Sequence, residues 1–242
     1  MAWTPYCGSA PLPEEWLARW NFDPFLLIAL AVAGVSLSRL AGREPVQRSC
    51  FVAAATLFAI LFVSPFCALT SALFTARVVH HVVLTAVIAP LLVLSIPRER
   101  VPAVGPLSAW TAAQAIVFWA WHAPNLYSAA LSSHAIYWLM QLSLLGSALA
   151  FWAALRRSSP QSAVGALLFT MVQMGLLGAL ITFAGAPLYA PHFASTAPWG
   201  LTPLEDQQLA GLIMWAPSAA LYLAAALVIA ARWLRTEARA AA

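Results

Sequence analysis

Five histidines carry most of the polar chemistry available to this chain: His80, His81, His122, His134 and His192. Imidazole is a common metal ligand and titrates near neutral pH. Arg77 precedes His81 by four residues and His80 by three, so on a helix it shares a face with each. His80 and His81 are adjacent and point about 100° apart on a helix, so they would not share one metal. Asp206, Gln207 and Gln208 form a second polar cluster, and Met214 follows Gln207 and Gly211 on one helical face. Met140 and Gln141 lie about two turns beyond His134. Imidazole and thioether together suit copper, and thioether favours the cuprous ion. The bland alternative for each histidine is a hydrogen-bonding cap at a membrane interface.

The surrounding chain must be a membrane bundle. Apolar residues make up 62% of the 242 positions and charged residues 8%, outside the range of soluble domains. Apolar runs recur along the whole length, which predicts an all-α polytopic bundle of seven transmembrane helices. The spans read as 24–41, 49–73, 75–97, 106–123, 134–156, 160–185 and 206–234. Residues 1–23 form an extracytoplasmic tail, 24–235 one integral membrane domain and 236–242 a cytoplasmic tail. The segment Pro13 to Trp20 reads as a short interfacial helix, with Trp16 and Trp20 at headgroup level. The N-terminus lacks a basic region and a small-residue cleavage site, so no cleaved signal peptide is expected.

Every basic residue is an arginine. With the N-terminus outside, Arg39, Arg43, Arg48, Arg98, Arg100, Arg156, Arg157, Arg232, Arg235 and Arg239 fall on the cytoplasmic side; Arg19 and Arg77 do not. That is a strong positive-inside bias. The formal charge of +4 is therefore an orientation code and no pointer to nucleic acid. In this topology all five histidines lie toward the outer face.

Further local signals are structural. Thr202-Pro203-Leu204-Glu205 is a capping box with proline at the first helical position. Gly175, Gly178 and Thr182 form a small-residue face suited to close helix packing. Pro65, Pro90 and Pro217 lie within spans and predict kinks. Arg77 must snorkel or pair, with Asp206 the obvious partner. His192, in a loop beside prolines, reads as incidental. A Cys7–Cys67 disulfide is open; Cys50 lies at the inner side. No zinc spacing, haem-attachment motif, hydrolase elbow or phosphate loop is present, and the chain reads as no enzyme.

Three stretches together resemble the CtaG-type family of polytopic membrane proteins linked to cytochrome c oxidase assembly. They are RVVHHVVLTAVIAPLLVLSIP (77–97), WHAPNLYSAALSSHAIYWLMQLSLLGSALAFW (121–152) and PLYAPHFASTAPWGLTPLEDQQLAGLIMW (187–215). The segment DQQLAGLIMW is the most specific. The resemblance covers about residues 20 to 235 and implies a seven-helix factor of the bacterial inner membrane. What the resemblance implies is a protein that helps oxidase subunits mature by handling copper at the extracytoplasmic face. It places polar or sulfur groups at His81, His122, His134, Asp206, Gln207 and Met214. This chain departs from the family's HMxQH pattern: Arg77 holds the first histidine position and His80 the glutamine position. Gln141 stands where span five of the family carries another histidine.

The metal ligands expected on this basis are His81, His122 and His134, with Met140 and Met214 as soft donors. Arg77, Asp206, Gln207 and His80 are expected to serve an ion pair or a docking surface. Copper would be bound transiently, and binding would weaken as neutral imidazole is lost below about pH 6. The rival readings are a metal-free scaffold that docks an oxidase subunit, and a haem-binding redox protein using His81 and His122.

Overall fold

Each apolar stretch folds into a helix because, without water, backbone polar groups must be satisfied within the segment. The computed structural model describes residues 3 and 5–240; positions 1, 2, 4, 241 and 242, at the outer ends of the two expected tails, lie outside the described residues. Among the described residues all regular structure is helical. The helices are α1 (Pro24–Leu40), α2 (Pro45–Phe62), α3 (Phe66–Ala72), α4 (Phe74–Ser95), α5 (Leu107–His122), α6 (Pro124–Ser132), α7 (His134–Arg157), α8 (Pro160–Thr182) and α9 (Pro203–Ala240). Five of them, α2, α4, α7, α8 and α9, are long and apolar enough to cross a membrane; α1 is a shorter apolar helix.

The expected second span, 49–73, is two elements. Ser64-Pro65 interrupts the apolar run: α2 stops at Phe62 and α3 starts at Phe66. Proline fixes its own φ and lacks an N–H, so here it begins a helix and does not kink one. Residues 236–240, read as tail, prolong α9. At 1.5 Å per residue, its 38 residues span about 57 Å, well beyond the roughly 30 Å of hydrocarbon.

The other two prolines lie inside helices, and each released carbonyl has a named donor. Pro217 cannot donate to the Ile213 carbonyl four residues back, and the Ser218 hydroxyl donates to it at 3.0 Å. Within α4, residues Val83–Ile88 form a wide π-helical turn in which the Ala89 N–H bonds to Leu84. In that register Pro90 would serve the Thr85 carbonyl but has no N–H; the Trp152 indole of α7 donates to it instead, at 3.1 Å.

Helices α8 and α9 cross where the small-residue face predicts. A Cβ built on Gly178 would meet the Gly211 carbonyl and the Trp215 nitrogen at 2.7 Å, and one on Gly211 would meet Thr182 Oγ1 at 2.3 Å. Glycine at both positions lets the two backbones touch. At the opposite end from the α9 N-terminus, arginines close the loops after α4 and α7. Arg156 donates to the carbonyls of Val93 and Ile96, and Arg157 to Val101 at 2.9 Å. Gly42 N–H bonds to Ser95 O, which draws the first arginine-rich loop to the same end.

Candidate functional site

The site is built around a break in the chain. Leu73 is a single extended residue between α3 and α4. Such a junction leaves carbonyls at the end of one helix and N–H groups at the start of the next without intrahelical partners. Leucine has no side chain to cap them, so distant residues do. The Asp206 carboxylate accepts from Phe74 N at 2.7 Å and from Thr75 N at 3.1 Å, and Thr75 Oγ1 returns a bond to the Asp206 carbonyl at 2.8 Å. The N-terminus of α4 is thus capped by a carboxylate from α9, some 130 residues away in sequence. On the carbonyl side, Ala72 O accepts from Ser195 Oγ at 2.7 Å and from His192 Nδ1 at 3.2 Å.

These contacts correct two expectations. Asp206 does not pair with Arg77; among the described residues the only ion pair is Arg19 with Glu15. Both Asp206 oxygens are engaged by backbone donors. Arg77 neither snorkels nor pairs. It is fully buried, donates from Nη2 to the Thr70 carbonyl at 3.3 Å and lies 5.2 Å from the centre of the Tyr137 ring. Tyr127 and Tyr137 are its polar neighbours, and among the described residues its Nε and Nη1 have no partner in hydrogen-bond geometry. His192 is not incidental either: it is buried, with Nε2 2.6 Å from the Tyr127 hydroxyl and Nδ1 on Ala72. Burial holds its pKa down at about 3, so it stays neutral across the physiological range.

Gln207 is a clamp on the loop after α8. Its Oε1 accepts from Leu188 N at 2.6 Å, and its Nε2 donates to Ile181 O and Ala186 O. The capping box forms as read: Glu205 N donates to Thr202 Oγ1, and Thr202 N to Glu205 Oε2.

Behind the junction lies a set of buried imidazoles. His80 and His81, both fully buried, diverge as adjacent helical residues must, with ring centres 5.9 Å apart. His80 faces α2 and α3, edge-on to Phe62 at 4.8 Å. His81 faces α5, where His122 stands edge-on at 5.5 Å. The His122 Nδ1 lies 2.7 Å from the Phe118 carbonyl. A carbonyl only accepts, so Nδ1 carries the proton and Nε2 keeps its lone pair. That Nε2 and both ring nitrogens of His81 are buried with no hydrogen-bond partner among the described residues. Buried polar atoms are almost always paired, so this concentration sets the region apart from the rest of the bundle.

His134 does not join the pair. It is exposed at the start of α7 and packs edge-on to Tyr6 at 5.5 Å. Among the described residues no three His, Cys, Asp or Glu side chains are grouped to hold a metal ion. Met140 and Met214 are fully buried in the core. The residues that sequence reasoning did not single out are Tyr127, Tyr137 and Tyr189. Tyr189 donates to the His122 carbonyl at 2.8 Å and stacks on Phe74 at 3.7 Å.

The N-terminal segment covers this end of the bundle. Cys7 and Cys67 form a disulfide, settling the open pairing. Tyr6 stacks on Tyr137 at 5.1 Å and donates to Asp23 at 2.5 Å. That hydrogen bond holds the Asp23 carboxyl below the usual range. Asn21 ties the segment to the carbonyls of Phe62 and Val63. The interfacial helix shrinks to one short turn, Trp16–Ala18.

A family model described as cytochrome c oxidase caa3 assembly factor (Caa3_CtaG) matches residues 29–114 and 103–236. The chain belongs to this family. The two matches overlap and run from α1 to α9, so the family region holds the capped junction and the buried imidazoles. The Caa3_CtaG family is named for assembly and not for a catalysed reaction. Comparison with curated proteins and with solved structures gives no match.

Proposed function

We propose that this caa3 assembly factor crosses the bacterial inner membrane seven times, N-terminus outside, and carries a cuprous ion at the extracytoplasmic end of its bundle between His81 and His122. The observation that supports this most is the fixed tautomer of His122. Metal-ligating histidines hold one ring N–H on a backbone carbonyl or carboxylate, which aims the other nitrogen. His122 has that arrangement on Phe118, and the ring facing it is His81 with both nitrogens free.

The local charge favours the monovalent ion. Arg77 is close enough to act electrostatically on His81, and in a low-dielectric interior a fixed positive charge disfavours a divalent ion about twice as strongly as a monovalent one. Met140 and Met214 are the soft donors proposed to help release and capture; His134 and His80 stand outside the pair. Oxidase subunits are the proposed recipients. The helices α1 and α5, shorter than the five clear spans, complete the seven, and the arginine-rich loops at the inner end support the orientation.

The test is metal analysis of the protein purified after growth with copper, wild type beside the His81→Ala/His122→Ala variant. The expected result is about one copper per chain in wild type and a loss of most of it in the variant; equal copper in both would sink the pair as a site. The scaffold reading is favoured by how much of the polar chemistry serves structure: Asp206, Gln207 and His192 are fully engaged in holding loops and helix ends. It predicts that a deletion strain lacking oxidase activity is not rescued by added copper.

A further inference from the structure

Two oddities of this end of the bundle explain each other. The first is a pair of sulfurs. Cys7 and Cys67 are joined across 60 residues; Cys67 is fully buried and Cys7 only half-buried. The second is Arg77, a buried guanidinium that, among the described residues, has two nitrogens without a partner in hydrogen-bond geometry and no carboxylate in salt-bridge range.

They are one residue apart on two routes. Cys7 Sγ lies 3.7 Å from the Tyr137 hydroxyl, and Arg77 lies over the Tyr137 ring. Thr70 stands 4.0 Å from Cys7 Sγ through its hydroxyl and accepts from Arg77 through its carbonyl. A cation this close favours thiolate over thiol. It also supplies the countercharge that two thiolates with a monovalent metal would need, since that unit carries a net charge of −1.

We propose that the Cys7–Cys67 pair, once reduced, is a second metal site of this protein, taking one cuprous ion between two thiolates at the mouth of the bundle. Soft thiolates select cuprous ion or zinc, and zinc takes four ligands. No group of three His, Cys, Asp or Glu is available among the described residues, so the pair suits an ion content with two. The cysteines stay near each other when the bond opens, because the tail keeps its other anchors: Tyr6 on Asp23 and Tyr137, and Asn21 on the end of α2. The proposal rests on the copper reading for the supply of metal, and on a different set of residues for its capture.

The chemistry balances. An external dithiol gives two electrons and two protons to the disulfide, yielding two thiols and its own disulfide. Cuprous ion then displaces both thiol protons to solvent and forms two sulfur–copper bonds. The outer sulfur, on Cys7, is the one within reach of the attacking thiolate.

The test compares full-length protein in detergent in two states, oxidised and reduced with a phosphine that is then removed, each titrated anaerobically with cuprous ion against a chromogenic chelator. The reduced protein is expected to bind one more ion per chain, with a thiolate-to-copper charge-transfer absorption. Alkylation of the reduced wild type and the Cys67→Ser variant should each abolish the increment, and Arg77→Gln should weaken it on the order of tenfold. The His81→Ala/His122→Ala variant should retain it, which separates this site from the imidazole pair. Equal stoichiometry in the two states, or an increment that survives alkylation, would overturn the proposal; alkylation needs no variant to fold.

Discussion

Replacing Asp206 separates two accounts of the same residue. As an ion-pair partner of Arg77 it would act through charge on a side chain; as built, it caps α4 through two backbone N–H groups. Hydrogen bonds to a charged acceptor contribute about 1.5–3 kcal/mol each, and a buried donor left unpaired costs about 1–3 kcal/mol. Asp206→Asn keeps one acceptor oxygen and presents an amide N–H to the second donor, so it should cost about 2–3 kcal/mol. Asp206→Ala strands both donors and should cost about 3–5 kcal/mol. For a chain of this length 1 kcal/mol moves the midpoint by about 2–4 °C, so the asparagine variant should melt about 4–12 °C lower. The assay is thermal unfolding in detergent followed by thiol-reactive dye and by retention on size exclusion. A double-mutant cycle with Arg77→Gln supplies the control. Breaking a buried ion pair costs about 3–5 kcal/mol, whereas the cap predicts a coupling under about 1 kcal/mol. Unchanged melting of Asp206→Asn, or a coupling of several kcal/mol with Arg77, would refute the cap as the residue's main role.

Gly211→Ala should abolish stable protein, because its Cβ meets Thr182 Oγ1 and two backbone atoms well inside contact distance, whereas Gly165→Ala in α8, which meets nothing within 4 Å, should be neutral or stabilising by up to about 1 kcal/mol; expression level and melting point read both. Ser218→Ala should cost about 1 kcal/mol by leaving the Ile213 carbonyl unpaired, and Pro217→Ala in the same chain should restore it by returning the backbone donor, as melting of the three variants will show. His192 gives a pH signature. Its folded pKa is depressed to about 3 from 6.5, chiefly by burial, so its contribution to stability is present above pH 6.5 and is lost as pH falls toward 3, by about 2 kcal/mol at pH 5. His192→Gln should flatten that part of the stability–pH curve.

What the sequence made legible was whatever depends on local order. The capping box and the Gly175-Gly178-Thr182 face each act within one helix or at its end, and both appear in the structure as read. The divergence of His80 and His81 followed from the helical period alone. The misreadings came from partners far apart in sequence. Asp206 was assigned to the nearest opposite charge because the extended Leu73, whose flanking N–H groups it satisfies, leaves no mark in an apolar run. The Ser64-Pro65 stop was hidden in the same run. His192 looked incidental because Tyr127 and Ala72, its two partners, are 65 and 120 residues away. His134 matched its counterparts in depth along the helices, but depth does not fix whether a ring faces inward.

The wide turn in α4 has a further consequence for heredity. A π turn holds one residue more than an α turn, and one residue is about 100° of rotation. The half of α4 above Val83 is therefore phased independently of the half below Ile88. Below, the end of α4 is held by Arg156; above, it directs His81 toward α5 and His80 toward α2. A deletion of a single residue from 83–88 would leave two good helical halves. It would also swing His81 away from His122, so lineages that lose or gain the surplus residue should differ in which ring His81 faces.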